Sequence, residues 1–233
     1  MRTVAVVLAG GIGQRFGGDK PKQLHVLAGR TLIEHSVAAF EQAPGVDEIL
    51  IVMPPGGAGP RRERFQGQKV TAVIEGGITR TDSTRCAITA LGAQECDVLF
   101  HDAARPLLDQ RIIADCVAAL ATDRAIGVAI PSSDTIVEVT DGVITGMPRR
   151  DTLARCQTPQ GFRLSVIRQA YQRADADPGF PGRPATDDCG IVHRYLPDVP
   201  VRLVLGSERN IKITYPGDLD LAETLLRLKN HAP

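Results

Sequence analysis

An excess of charge of either sign is missing from this chain: lysine plus arginine and aspartate plus glutamate each number 27, so the formal net charge is zero. No long basic run interleaved with aromatic residues occurs, and Arg61, Arg62 and Arg64 are offset by Glu63 after a Pro/Gly-rich stretch. Nucleic acid is therefore not expected as a partner. Long apolar runs are missing too. The hydrophobic segment near the N-terminus is broken by glycine too soon for a signal peptide or a membrane span. The five cysteines, Cys86, Cys96, Cys116, Cys156 and Cys189, show no Cys-x-x-Cys spacing, so the expectation is a reduced, cytoplasmic protein with structural cysteines and no membrane partner. No arrangement of serine, histidine and aspartate suggests a covalent nucleophile.

Two familiar phosphate motifs are also absent. A Walker loop needs Gly-Lys-Ser/Thr, and Lys22 is followed by Gln23; a dinucleotide fingerprint needs Gly-x-Gly-x-x-Gly, and here Gly11 and Gly13 are followed by Phe16. Neither an ATPase of that type nor an NAD enzyme is favoured. What is present is a β-branched apolar run, Val4 to Leu8, entering a glycine-rich loop from Ala9 and Gly10 to Gly18, then Lys20-Pro21-Lys22. Glycines after a buried strand let backbone amides face an anion closely. Arg15 and Lys22 supply a planar guanidinium and a mobile ammonium suited to charge developing on phosphoryl oxygens; the bland alternative is a turn with solvated cations.

At 233 residues and 43% hydrophobic content, the chain can bury the core of a single α/β domain spanning 1–233. Short apolar runs at Asp47–Met53, Lys69–Ile74, Asp97–His101 and Ala125–Ile130 alternate with helical patterns, which predicts a mostly parallel sheet with helices on both faces. Thr31-Leu32-Ile33-Glu34 offers a capping box, and Asp109 opens a second helix. Beyond Pro131, residues 134–145 alternate apolar and polar around Asp141-Gly142, a strong hairpin signal. Strands are expected at Val201–Leu205 and Asn210–Thr214, and a helix from about Pro216.

Ligands of such sheets gather outside the carboxyl ends of the strands. Asp102, directly after a strand, has two open readings there: a carboxylate that holds Mg²⁺ or a substrate hydroxyl, or a structural cap. Arg105 stands three residues on, and Asp82-Ser83 follow Gly76-Gly77 at a helix start. His101 reads as a strand residue.

Several runs together resemble the sugar- and polyol-phosphate cytidylyltransferases, above all the 2-C-methyl-D-erythritol 4-phosphate cytidylyltransferases of non-mevalonate isoprenoid synthesis. They are Leu8-Ala9-Gly10-Gly11-x-Gly13-x-Arg15 with Pro21-Lys22-Gln23, Gly76-Gly77 with Arg80-Thr81-Asp82-Ser83, His101-Asp102-Ala103-Ala104-Arg105-Pro106, Thr158-Pro159-Gln160-Gly161-Phe162, Thr186-Asp187-Asp188 and Asn210-Ile211-Lys212-Ile213-Thr214. The matches run in order from residue 3 to about 226. The resemblance implies a Rossmann-like nucleotidyltransferase fold with a protruding β-hairpin arm, residues 132–157, that reaches across a homodimer. It implies Arg15, Lys22, Asp102 and Lys212 as catalytic residues, Asp102 also as the Mg²⁺ contact, and Ala9, Gly10, Gly11, Gly13, Gly76, Asp82 and Ser83 around CTP. Arg105, Thr135, Arg150, Thr158, Thr186 and Lys212 would hold the polyol phosphate, Arg150 and Thr158 serving the neighbour's site.

Two departures bear on the acceptor. Leu8-Ala9-Gly10-Gly11 stands where the methylerythritol enzymes usually have Pro-Ala-Ala-Gly, and Asp187-Asp188-Cys189-Gly190 replaces their usual Asp-Asp-Ala-Ser. Both lean toward the sister ribitol-5-phosphate cytidylyltransferases, whereas His101 to Pro106 has the methylerythritol form. A nucleotide-binding protein without turnover is the rival of another class; it needs no second cation cluster on the acceptor side, and Arg150 and Lys212 supply one.

Overall fold

The computed structural model describes residues 1–10, 16, 21–58, 65 and 67–230. β1 (Thr3–Leu8) is buried along its whole length, as expected of a β-branched run flanked on both sides by parallel neighbours. β4 (Glu48–Met53) and β6 (Asp97–Asp102) lie parallel to it on either side, and β5 (Val70–Glu75) continues the sheet beyond β4. β7 (Ala125–Pro131), β10 (Ala154–Arg163) and β11 (Arg202–Leu205) complete seven strands in the order β11-β7-β10-β6-β1-β4-β5, with only β10 antiparallel to its neighbours. A short pair, β2 (Val26–Leu27) and β3 (Arg30–Thr31), stands apart.

Helices cover both faces. α1 (Leu32–Glu41) opens on the expected capping box: Thr31 Oγ1 accepts from the Glu34 amide, and the Glu34 carboxylate accepts from the Thr31 amide at 2.7 Å. With α3 (Gln110–Leu120, capped by Asp109) it buries Ile33, Val37, Phe40, Ile112 and Ile113 against Val7, Ile51 and Leu99 on one face. α2 (Arg80–Ala90), α4 (Leu164–Asp175) and α5 (Asp188–Tyr195) cover the other face, with Ile88, Ile167, Tyr171 and Ile191 against Val6, Val52 and Phe100. α6 (Gly217–Asn230) packs Ala222 near Leu27, Leu32 and Ile213. No helix among the described residues is long and apolar enough to cross a membrane.

β1, β4, β5 and β6 run the same way, so their carboxyl ends share one edge. Leu8 pairs with Asp102, and the amides of Ala9, Ala103 and Gly76 hydrogen-bond to Val52, Leu8 and Met53. The chain leaves β1 for β4 on one side and later places β6 on the other, which makes the edge beside β1 a topological switch point.

The arm is a hairpin of β8 (Glu138–Thr140) and β9 (Val143–Gly146). Asp141 and Gly142 both have positive φ, 49° and 78°, as a type I′ turn requires. The ladder is shorter than the alternation over 134–145 suggests: residues 134–137 form no strand. The expected strand at Asn210–Thr214 is likewise an extended connection outside any ladder. Its backbone bonds go elsewhere, the Ile213 amide to Ala104 O and the Asn210 amide to Ser207 O.

Candidate active site

Three glycine-dependent contacts build one wall at the strand edge. Ser83, in the first turn of α2, is wholly buried, and its hydroxyl donates to Thr79 O at 3.0 Å. A Cβ on Gly10 would stand 2.4 Å from Ser83 Oγ, and one on Gly76 would stand 2.6 Å from the same oxygen and 2.8 Å from Val52 Cγ1. Gly10, Gly76 and Ser83 therefore meet where backbone must approach closely, beside buried Ala9. Asp82 does different work: its carboxylate accepts from the Thr79 amide and, at 2.7 Å, the Thr79 hydroxyl, and pairs with Arg85 at 2.9 Å. The Thr79 hydroxyl lowers its pKa, as does Arg85. Asp82 is a helix cap in this structure.

Across that wall lies a charged cluster. Asp102 ends β6 with its side chain only 10% exposed; Lys212 Nζ stands 2.7 Å from Oδ2 and Arg80 Nε 3.0 Å from Oδ1. Burial alone would raise the Asp102 pKa, but Arg80, Lys212 and Arg105 together hold the carboxyl far below the usual range. Arg80 also reaches the fully buried Asp188 through Nη1 at 2.8 Å. Asp188 Oδ1 accepts from the Tyr171 hydroxyl at 2.6 Å. Burial and then Asp188 push the Tyr171 pKa well above its ordinary value, which keeps it a donor.

Thr158 and Arg105 lie beneath the cluster. Arg105, 9% exposed, donates to the carbonyls of Asn210 at 2.8 Å and Cys156 at 3.3 Å. His101 Nε2 meets Arg105 O at 3.1 Å. A carbonyl only accepts, so Nε2 carries the proton and Nδ1 accepts from the Thr158 hydroxyl at 2.9 Å; Thr158 Oγ1 in turn accepts from the Asp102 amide at 3.1 Å. Burial lowers the His101 pKa to about 4, so the ring is neutral at pH 7. Asn210, wholly buried, donates to Thr158 O at 2.8 Å. The segment bearing Lys212 is thus fastened on both sides, at Asn210 and Ile213.

The structure brings Asp102, Lys212, Arg105 and Thr158 together, and joins Gly10, Gly76 and Ser83. Lys22 opens a 3-10 turn, Lys22–Leu24, half-buried. Thr135 and Arg150 are exposed on the arm, Arg150 donating to Ser133 O, and Thr186 is exposed on the loop before α5. Arg15, Gly11 and Gly13 lie outside the described residues. Sequence reasoning passed over Arg80, Asp188 and Tyr171 as site residues; the signal available was an arginine at the first position of a helix after a Gly-Gly pair.

The described residues contain no cluster of three or more His, Cys, Asp or Glu able to hold a metal. With cations on both of its oxygens, Asp102 fits a divalent ion only as a single carboxylate, most ligands coming from phosphates and water, as Mg²⁺ commonly accepts.

The family model described as IspD, 2-C-methyl-D-erythritol 4-phosphate cytidylyltransferase, matches residues 3–228. A 2-C-methyl-D-erythritol 4-phosphate cytidylyltransferase of Thermobifida fusca is 50% identical, covering 97% of this chain and 94% of that protein. The bifunctional ribulose 5-phosphate reductase/CDP-ribitol pyrophosphorylase Bcs1 of Haemophilus influenzae is 40% identical over 99% of this chain, which spans 49% of that relative. The crystal structure of the Thermus thermophilus 2-C-methyl-D-erythritol 4-phosphate cytidylyltransferase superposes with a TM-score of 0.74 at 32% identity, covering 96% of this chain and 98% of that one.

Proposed function

The chain belongs to the 2-C-methyl-D-erythritol 4-phosphate cytidylyltransferase family, and from that premise we propose that the Asp102 cluster and the Gly10–Gly76–Ser83 wall are the two halves of its active site. The protein is a cytidylyltransferase: it transfers CMP from CTP to 2-C-methyl-D-erythritol 4-phosphate, giving 4-diphosphocytidyl-2-C-methyl-D-erythritol and pyrophosphate. A phosphate oxygen of the acceptor attacks the α-phosphorus in line, the bond to the pyrophosphate oxygen breaks, and pyrophosphate leaves with the electron pair. No covalent enzyme intermediate is needed, so catalysis rests on positioning and charge stabilisation.

CTP lies over Ala9, Gly10, Gly11 and Gly13, its base against Gly76 and Ser83. Arg15 and Lys22 neutralise the triphosphate as charge shifts toward the leaving group. Lys212, with Arg150 and Thr135 from a partner's arm, receives the acceptor phosphate, and Thr186 borders the polyol. Asp102 is the residue that would hold Mg²⁺, which would supply charge neutralisation on the phosphates when bound. The protein works as a homodimer in the cytoplasm.

The observation that carries this reading is the Asp102–Lys212 pair at 2.7 Å, set at the switch point beside the glycine-dependent wall. Release of pyrophosphate by purified protein with CTP, Mg²⁺ and 2-C-methyl-D-erythritol 4-phosphate tests it, with D-ribitol 5-phosphate in parallel. Absence of turnover with both acceptors would remove it.

A further inference from the structure

The cluster pairs two buried carboxylates with two cations of unequal freedom. Asp188 has no exposed side chain and Asp102 has 10%, whereas Arg80 has 24% and Lys212 has 40%. Arg80 is held at both ends, by Nε on Asp102 and Nη1 on Asp188, and Asp188 is itself fixed by the Tyr171 hydroxyl and by its own amide donating to Gln160 Oε1 at 3.0 Å. Lys212 has only a point contact, from an extended segment outside helix and sheet. An arginine with two carboxylates in its fork stays in place, while an ammonium on a four-carbon stem can exchange partners.

We infer that Arg80 is a positioning residue: gripped between Asp102 and Asp188, it fixes the Asp102 carboxylate and keeps it paired, so that Lys212 can leave it for the incoming acceptor phosphate. This rests on the reading of Asp102 and Lys212 given above. A buried carboxylate stripped of its pair is strongly disfavoured. Without Arg80, releasing Lys212 would strip Asp102 of its remaining direct cation, since Arg105 is already bonded to the carbonyls of Asn210 and Cys156. Lys212 would then stay on Asp102 and the phosphate would lose its partner. With Arg80 in place, transfer of Lys212 leaves the carboxylate paired.

The test is a kinetic cycle on the full-length enzyme with CTP, Mg²⁺ and 2-C-methyl-D-erythritol 4-phosphate. Arg80→Gln is expected to lower kcat/KM for the acceptor by about 10-fold or more, and Arg80→Lys to regain part of it, because a lysine can pair Asp102 without spanning to Asp188. Residues that act through one another give non-additive effects, so in an Asp102→Asn background Arg80→Gln should add no more than about twofold. Tyr171→Phe, which loosens only the far anchor, should move the same constant by a smaller factor. A folded Arg80→Gln enzyme with unchanged kinetics, or full additivity with Asp102→Asn, overturns the inference. If Arg80→Gln does not fold, unchanged kinetics in both Arg80→Lys and Tyr171→Phe overturn it. A parent enzyme without turnover removes the reaction and this role together, whereas an active parent with a flat Arg80 series removes this role alone.

Discussion

In the proposed reaction Arg15 and Lys22 divide one task between a planar guanidinium and a mobile ammonium. Each acts on charge that grows as pyrophosphate departs, so Arg15→Ala and Lys22→Ala should each lower kcat by about 10²-fold or more with the fold intact; near-normal turnover in both would remove their catalytic role. Asp102→Asn keeps the shape of the side chain and removes the charge that pairs Arg80 and Lys212. Turnover should fall steeply, and unchanged turnover with unchanged Mg²⁺ dependence would reduce Asp102 to a cap. His101 gives a pH signature. Its folded pKa, about 4, lies below the unfolded value of about 6.5, so below pH 6.5 the unfolded chain binds a proton that the folded one refuses. Stability is fully present above about pH 6.5 and falls as pH drops toward 4, a single-site effect of about 3 kcal/mol in order of magnitude. Thermal melts across that window should flatten in His101→Gln, and an unchanged slope would show that other groups dominate. That Asp102, Gly10, Gly76 and Ser83 share one edge of the sheet was legible, because each lies at or just beyond the carboxyl end of a strand or in the first turn of a helix. Arg80 and Asp188 were not, since the contact that gives them meaning joins positions 108 apart in the chain.

At the scale of elements, continuous apolar strands and capped helices announced themselves through periodicity: β1, β4, β5, β6 and β7 lie within a residue or so of expectation, and Thr31 and Asp109 cap α1 and α3. β10 went unread. Pro159 sits inside it with no amide to donate, and its pairing with β7 shifts register between Cys156 and Gln160, so neither alternation nor composition marks a strand. Asn210–Thr214 failed in the opposite sense, because polar and apolar residues alternate along it although the backbone joins no ladder. The arm shows its unsatisfied face directly: Ile136, Val137, Val139, Val143, Ile144 and Met147 are all exposed. A two-stranded ribbon has no core of its own, so light scattering at micromolar concentration should give a dimer, and Val143→Asp with Ile144→Asp should shift it to monomer. A fully active monomer would mean that Arg150 serves its own chain.

For the molecule as a whole, the question is what the assembled pocket rejects. A phosphate is common to methylerythritol and ribitol phosphates, so in the role proposed for them Lys212 and Arg150 would select a class of acceptor, with bidentate geometry open to the arginine only. Choice within the class falls to the pocket around the carbon chain, where the two ligands ask for different chemistry. A methyl branch asks for a small apolar recess; a longer unbranched polyol asks for another hydrogen-bond partner. Filling or vacating a recess for one methyl is worth about 1 to 3 kcal/mol, whereas leaving a buried polar group without its partner costs far more. A pocket shaped for methylerythritol phosphate should therefore turn over D-ribitol 5-phosphate more slowly by a moderate factor, on the order of 10 to 200 in kcat/KM. A pocket shaped for ribitol would discriminate against methylerythritol phosphate much more sharply. The Leu8-Ala9-Gly10-Gly11 loop and Cys189-Gly190, with the 40% identity to a CDP-ribitol pyrophosphorylase, make the comparison a demanding one. Measured with CTP held constant, a moderate preference for methylerythritol phosphate agrees with the family. A clear preference for ribitol 5-phosphate would reassign the acceptor and leave the chemistry at the α-phosphorus unchanged, because the roles proposed for Arg15, Lys22 and Asp102 concern the nucleotide, whichever polyol stands behind the attacking oxygen.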